Sequence, residues 1–319
     1  MKKIVALLLA VLMTAALAGC GDGAAGSDKY VVGICQMMPH NSLNEAAQGF
    51  QDALTAALGE DQVEFRHQDA GGEYATCATI IDGFLAENVD LILANATVPL
   101  QAAVSASDAT PVLGTSITDY ATALNMQEWN GLVGGNVSGT TDLAPLDQQA
   151  AMMKELFPDA QNIGLLFCSA EPNSVYQVEQ MKMHLEGMGY TCSEFGFTDV
   201  NDLASVTQTA CDASDVIYIP TDNTAANNTE AIANVVLPAN VPVVAGEAGL
   251  CSGCGVATLS IDYYDLGYTT GKMAAEILSG KADISTMAVK YAPEVTKMYN
   301  AANCEKLGVT VPDGYAPIG

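Results

Sequence analysis

The sequence predicts an α/β protein of two doubly wound, parallel-sheet lobes joined by crossing segments. Three observations carry that prediction. Short apolar runs alternate strictly with helical periods along most of the chain. The alternation breaks once, over residues 118–144, and then restarts. About 290 residues follow the N-terminal tether, which suits two lobes of ordinary size. Short apolar strands separated by helices need both faces of their sheet covered, and that is the parallel arrangement.

The first run begins with an apolar strand over residues 30–35. Ser42 and Glu45 have capping-box spacing. The helix they open places Ala46, Phe50, Leu54 and Leu58 on one face and stops at Gly59. Strands over 63–69, 90–95 and 111–117 alternate with helices over 73–87 and 98–107. Residues 118–144 carry many Gly, Asn and Thr without a clear period and read as the crossing between lobes. In the second run, helices cover 146–157, 174–187, 202–211 and 224–236, and strands cover 162–168, 190–197, 216–220, 241–246 and 256–261. A helix over 263–278 ends before Gly280. The expected division is 29–120 with 263–290 in lobe 1, and 121–262 with 291–319 in lobe 2.

Ahead of this body, Met1-Lys2-Lys3 and the apolar stretch 4–17 have the layout of a secretory signal peptide over 1–19. Leu17-Ala18-Gly19-Cys20 looks like a bacterial lipobox, so Cys20 is the expected lipidation site. Acyl chains there would hold the protein at a membrane surface, each buried CH₂ contributing ~0.8 kcal/mol. Residues 20–28 form a lipidated Cys and a tether of small and polar residues.

The formal net charge is -26. Such a chain repels phosphate backbones, which excludes a nucleic-acid partner. Half the residues are hydrophobic, which excludes disorder. Nine cysteines leave eight beyond Cys20. An even count in a secreted chain permits disulfides. A lobe of this size does not need them, and the reading favours mostly free, buried thiols.

In open parallel sheets, ligands bind outside the carboxyl ends of the strands. The segments there are 36–42, 95–97, 118–120, 169–174, 221–224 and Glu247. They are rich in hydroxyls, amides and carboxylates and poor in Lys and Arg. That rim suits a small zwitterion or a neutral polar ligand, and suits a phosphate poorly. Asp222 follows an apolar strand and opens a helix, so it is a helix cap or an anionic partner for a ligand ammonium. Asn173 and Ser174 share that ambiguity, since capping and anion binding use the same helix terminus. Thr97 also opens a helix. Thr118 follows the fourth strand, His40 lies in the first loop, and Tyr120 could stack on an aromatic ligand or pack between lobes.

At these loops the chain resembles the ABC transporter substrate-binding proteins of the tryptophan/tyrosine-transport type, which have the type I periplasmic binding fold. The matching segments are ATVPLQAAVSA, GGNVSGTTD, LFPDAQNIGLLFCSAEPNSVYQVEQMK, IYIPTDNT, PVVAGEAG, IDYYDLGYTTGKMAAEILSGK and NAANCEKLGVTVP. The resemblance implies two lobes closing on an amino acid, often aromatic, and delivery to a membrane permease and its ATPase. Carried over by motif, it implies that Asn173, Ser174, Asp222, Asn223 and Thr97 line the cleft. Glu247 sits where an acidic or polar residue is usual. Tyr120 replaces a usual Pro, Cys168 replaces a usual Asn, and the Cys251–Cys254 segment has no counterpart.

Other motifs do not carry chemistry. Cys251-x-x-Cys254 reads as a Gly-rich turn between two strands, without a second pair to complete a zinc site. Residues 267–272 mimic a phosphate-binding loop, but the spacing is one short and they lie within a helix. No dinucleotide fingerprint or G-x-S-x-G is present, and His40, His67 and His184 are too few for most catalytic or metal clusters. The expected protein is an extracytoplasmic, lipid-anchored monomer without enzymatic activity, cofactor or metal. Its expected role is to deliver an aromatic L-amino acid to an ABC importer. The alternatives are another small solute, such as a nucleoside or sugar, or ligand sensing without transport. A sugar is disfavoured because Trp129 is the only Trp.

Overall fold

A computed structural model describes residues 29–318 except Pro293. The leader, Cys20 and the tether lie outside the described residues. Two sheets build the molecule. The first has the order β11-β5-β4-β3-β1-β2 and is parallel throughout. Its strands are β1 Tyr30–Gln36, β2 Val63–Asp69, β3 Leu91–Asn95, β4 Val112–Ile117, β5 Val137–Thr141 and β11 Lys290–Tyr291. Four helices accompany it: α1 Asn41–Leu58, α2 Tyr74–Ala86, α3 Thr97–Ala106 and the short α4 Tyr120–Ala123.

The second sheet has the order β13-β12-β10-β9-β8-β6-β7. Its strands are β6 Asn162–Cys168, β7 Thr191–Phe197, β8 Val216–Ile219, β9 Val243–Ala245, β10 Ala257–Ser260, β12 Thr296–Tyr299 and β13 Ala316–Pro317. It is parallel except where β12 runs against β10. Its helices are α5 Leu146–Leu156, α6 Pro172–Gly187, α7 Val200–Ala213, α8 Asn223–Asn227, α9 Thr229–Ala239, α10 Ala248–Cys254 and α12 Ala301–Leu307. The long helix α11 Tyr263–Leu278 returns to the first lobe and packs along α1.

That helix pair explains residues 267–272. A Cβ on Gly267 would run into the Ala46 carbonyl, and one on Gly271 into the Phe50 carbonyl. The glycines let two backbones approach closely. They hold no phosphate.

Several local expectations are corrected. Residues 118–144 are not all crossing: β5 lies inside them and pairs with β4, so the first lobe extends to about residue 141. The strand has no apolar run because hydroxyls satisfy its side chains. Thr140 bonds Thr115 and, at 2.8 Å, Thr270 of α11, while Ser138 donates to the Met287 carbonyl at 2.8 Å. Gly139 is obligatory there: a Cβ would overlap the Gly114 carbonyl and the Tyr120 hydroxyl. The chain therefore crosses at 142–145, at 261–262 and between β11 and β12.

The Ser42–Glu45 capping box does not form, and α1 starts without a side-chain cap. The helix expected over 224–236 is two, broken at Asn228. Cys251 and Cys254 lie on helix α10, not in a turn, because Glu247 caps its first turn. The eight described cysteines are free, and all but Cys192 are buried. Among the described residues, no helix is long and apolar enough to cross a membrane.

Candidate ligand cleft

The carboxyl ends of both sheets face each other across a narrow cavity. His40, Leu43, Ser116, Thr118, Asp142 and Tyr263 line it from the first lobe and its crossings. Asn173, Thr221, Asp222, Asn223, Ala226 and Glu247 line it from the second. No Lys or Arg is among them, so the lining is dominated by carboxylates, amides and hydroxyls.

Strand ends place each group. β4 and β5 lose register between Gly114 and Ile117, and Ser116 sits there with φ 57°. This irregularity leaves both Ser116 and Thr118 on the cavity. Asp142 follows β5 and is 5% exposed. It accepts from the Tyr263 hydroxyl at 2.9 Å and the Thr118 hydroxyl at 3.2 Å. Burial pushes its carboxyl up to about 6, against the two hydroxyls, which favour the charged form.

Asp222 caps α8. Its Oδ1 accepts from the Ala225 N–H at 2.8 Å, and its Oδ2 from the Cys168 N–H at 2.6 Å. The cap reading is therefore realised, with a second bond that clamps α8 to the end of β6. Burial and the nearby Glu171 charge hold this carboxyl well above the usual range. Glu171 itself is buried against the start of α8. It accepts from the backbone and side chain of Asn223 at 3.0 and 2.7 Å, and from those of Thr224 at 2.8 and 2.7 Å. The anion that satisfies this helix start is thus supplied by the protein.

Among the described residues, polar contacts of three side-chain pairs join the lobes. Ser42 of α1 donates to Glu247, which also accepts from the Gly249 N–H at 2.6 Å. His40 Nε2 lies 3.2 Å from Asn223 Oδ1. Gln177 of α6 donates to Thr118 at 3.4 Å.

Of the residues singled out from the sequence, His40, Thr118, Asn173, Asp222, Asn223 and Glu247 line this cavity. Ser174 is fully buried beside it, where it accepts from the Asn173 amide at 3.3 Å. Two expectations are corrected. Thr97 is buried at the start of α3 and does not line the cavity. Tyr120 does not line the cavity either. Its ring stacks on Trp129 at 6.1 Å and its hydroxyl donates to Gly114 and Thr140 carbonyls within the first lobe. Asp142, Tyr263 and Glu171 were not among the sequence candidates. Asp142 lies directly beyond β5, a strand the sequence reading did not find.

Comparison with known proteins decides the family. The model of the ABC transporter substrate binding protein family matches residues 31–316. The chain belongs to that family. This substrate-binding protein is 32% identical over 301 residues to the tyrosine-binding protein of Clostridioides difficile strain R20291, covering 88% of this chain and 85% of that one. It superposes on the ABC domain from Streptococcus pneumoniae in complex with L-Trp with a TM-score of 0.86, at 30% identity, covering 91% of this chain and 100% of that one. The ligand-free, open structure of a Clostridium difficile substrate-binding protein with adhesive properties gives a TM-score of 0.69, at 29% identity, covering 91% of this chain and 99% of that one. The substrate-binding protein described here thus superposes better on the L-Trp complex than on that open structure.

Proposed function

We propose that the protein is a lipid-anchored receptor outside the cytoplasm that hands an aromatic L-amino acid to an ABC importer, and that it catalyses no reaction. The observation that carries the ligand class is the cavity at the carboxyl ends of the two sheets, lined by buried carboxylates and amides without Lys or Arg. Such a lining favours a ligand that brings its own positive charge. The tyrosine and L-Trp named for its relatives support an aromatic amino acid. A sugar is disfavoured because Trp129 stacks on Tyr120, off the cavity. The lobes must part to admit a ligand, since the closed cavity is narrow. Anchoring rests on the Cys20 lipobox, and action as a monomer on the completeness of the cavity within one chain.

A thermal-shift screen over the standard amino acids and nucleosides tests the ligand class. Ligand at a hundredfold excess over its Kd stabilises the fold by ~2.7 kcal/mol. The largest shift is expected from L-tyrosine or L-tryptophan. A shift with a nucleoside and none with any amino acid would refute the reading.

A further inference from the structure

Three carboxylates line the cavity and a fourth, Glu171, is buried near it, and their existing partners sort them. Asp222 has a backbone N–H on each oxygen. Glu247 accepts from the Gly249 and Leu250 N–H groups and from Ser42. Glu171 is saturated by Asn223 and Thr224. A backbone N–H cannot turn away, so these three are committed to structure. Asp142 differs. Besides its own backbone N–H, its partners are two hydroxyls, which rotate, and no Lys or Arg lines the cavity beside it.

A second observation points into the same space. Asn173 is 7% exposed and lines the cavity, and its Oδ1 is buried without a hydrogen-bond partner. The amide is oriented by its other end. Nδ2 donates to the Thr221 carbonyl at 3.1 Å and to Glu171 at 3.2 Å, both acceptors only. The oxygen is thus held facing away from them as an unused acceptor, a costly arrangement unless a donor arrives. The two groups belong to one bonded chain: Gln177 donates to the Asn173 carbonyl at 3.2 Å and to Thr118 at 3.4 Å, and Thr118 donates to Asp142.

We propose that Asp142 and the Asn173 side-chain oxygen, one from each side of the cleft, hold the α-ammonium of the bound amino acid. An ammonium offers three donors and a positive charge, matching one carboxylate and one orphan acceptor. Bridging the lobes through one nitrogen would make closure depend on the amine. Asp142 is on this view the residue that selects amino acids over their deaminated counterparts. The inference rests on the aromatic amino-acid reading above.

The test is calorimetric titration of the protein with L-tyrosine and L-tryptophan, and with 3-(4-hydroxyphenyl)propionate and indole-3-propionate, which lack the amine. Wild type is expected to lose about 100-fold or more in affinity when the amine is removed. Asp142→Asn should weaken the amino acid by a comparable factor and leave the deaminated acid within about threefold, so that discrimination collapses. Asn173→Ala should cost the amino acid roughly tenfold and the deaminated acid little. If Asp142→Asn does not fold, the wild-type ligand pair and Asn173→Ala still decide. Amino-acid binding with equal affinity for the deaminated acids, or with discrimination unchanged in both variants, overturns this assignment and leaves the ligand class standing. Absence of binding by either amino acid overturns both.

Discussion

Ser42, in the first turn of α1, donates its hydroxyl proton across the cleft to Glu247, the cap of α10 in the other lobe. Glu247 keeps two backbone partners without it, so the bond belongs to the closed arrangement and not to the folding of either lobe. Ser42→Ala should therefore leave the melting temperature of the ligand-free protein nearly unchanged and weaken ligand roughly tenfold, the scale of a hydrogen bond to a charged group. Titration and melting of both forms check this. Unchanged affinity would remove Ser42 from the closure contacts.

Asp222 should behave in the opposite way. Asparagine can replace one accepting oxygen but presents an amide N–H to the second backbone donor, at Cys168 or Ala225. Such a mismatch costs about 1–3 kcal/mol. Asp222→Asn should lower the ligand-free melting temperature by several degrees, at about 2–4 °C per kcal/mol for a chain of this size. A melt within a degree of wild type would show that the clamp between β6 and α8 matters little.

The pH dependence follows from Asp142. Burial penalises the charge and pushes its carboxyl up to about 6 in the folded protein, from the ordinary 3.8. A raised carboxyl gives stability that is present below pH ~4 and lost as pH rises through ~6. Asp142→Asn should flatten that part of the stability profile relative to wild type. The groups around Asp142 are Tyr263, Thr118, Tyr120 and Glu247. None supplies a positive charge, so a bound ammonium would favour ionisation. Affinity for an amino acid should rise from pH 4 to pH 6 and then level off. A flat profile in titrations across that range would mean that Asp142 does not face the charge.

Localisation depends on Cys20. With Cys20→Ala the protein should move from the membrane to the soluble fraction of expressing cells, as fractionation followed by immunoblotting would show. Retention with membranes would remove the lipid anchor from the account.

Most of the scaffold was legible because parallel strands buried on both faces must be apolar, as in residues 162–168 and 216–219. β5 was not, because Ser138 finds the Met287 carbonyl, Thr140 the Thr270 hydroxyl of α11 and Thr141 the Thr118 carbonyl just past β4, and no apolar signal remains. Its loss hid Asp142, one residue beyond. Ser42 and Glu45 had the spacing of a local cap, but a distant carboxylate took the hydroxyl. Local pattern could not anticipate that competitor. Tyr120 looked like a stacking residue from its loop position, whereas the cleft left by Gly114 and Gly139 draws its hydroxyl into the first lobe.

Closure of the cleft on an aromatic amino acid is tested by calorimetric titration of L-tyrosine and L-tryptophan into the ligand-free protein. Saturable one-site binding of at least one of them is expected near the micromolar range, ~8 kcal/mol of binding free energy. A nucleoside that binds while both amino acids fail to do so would contradict it.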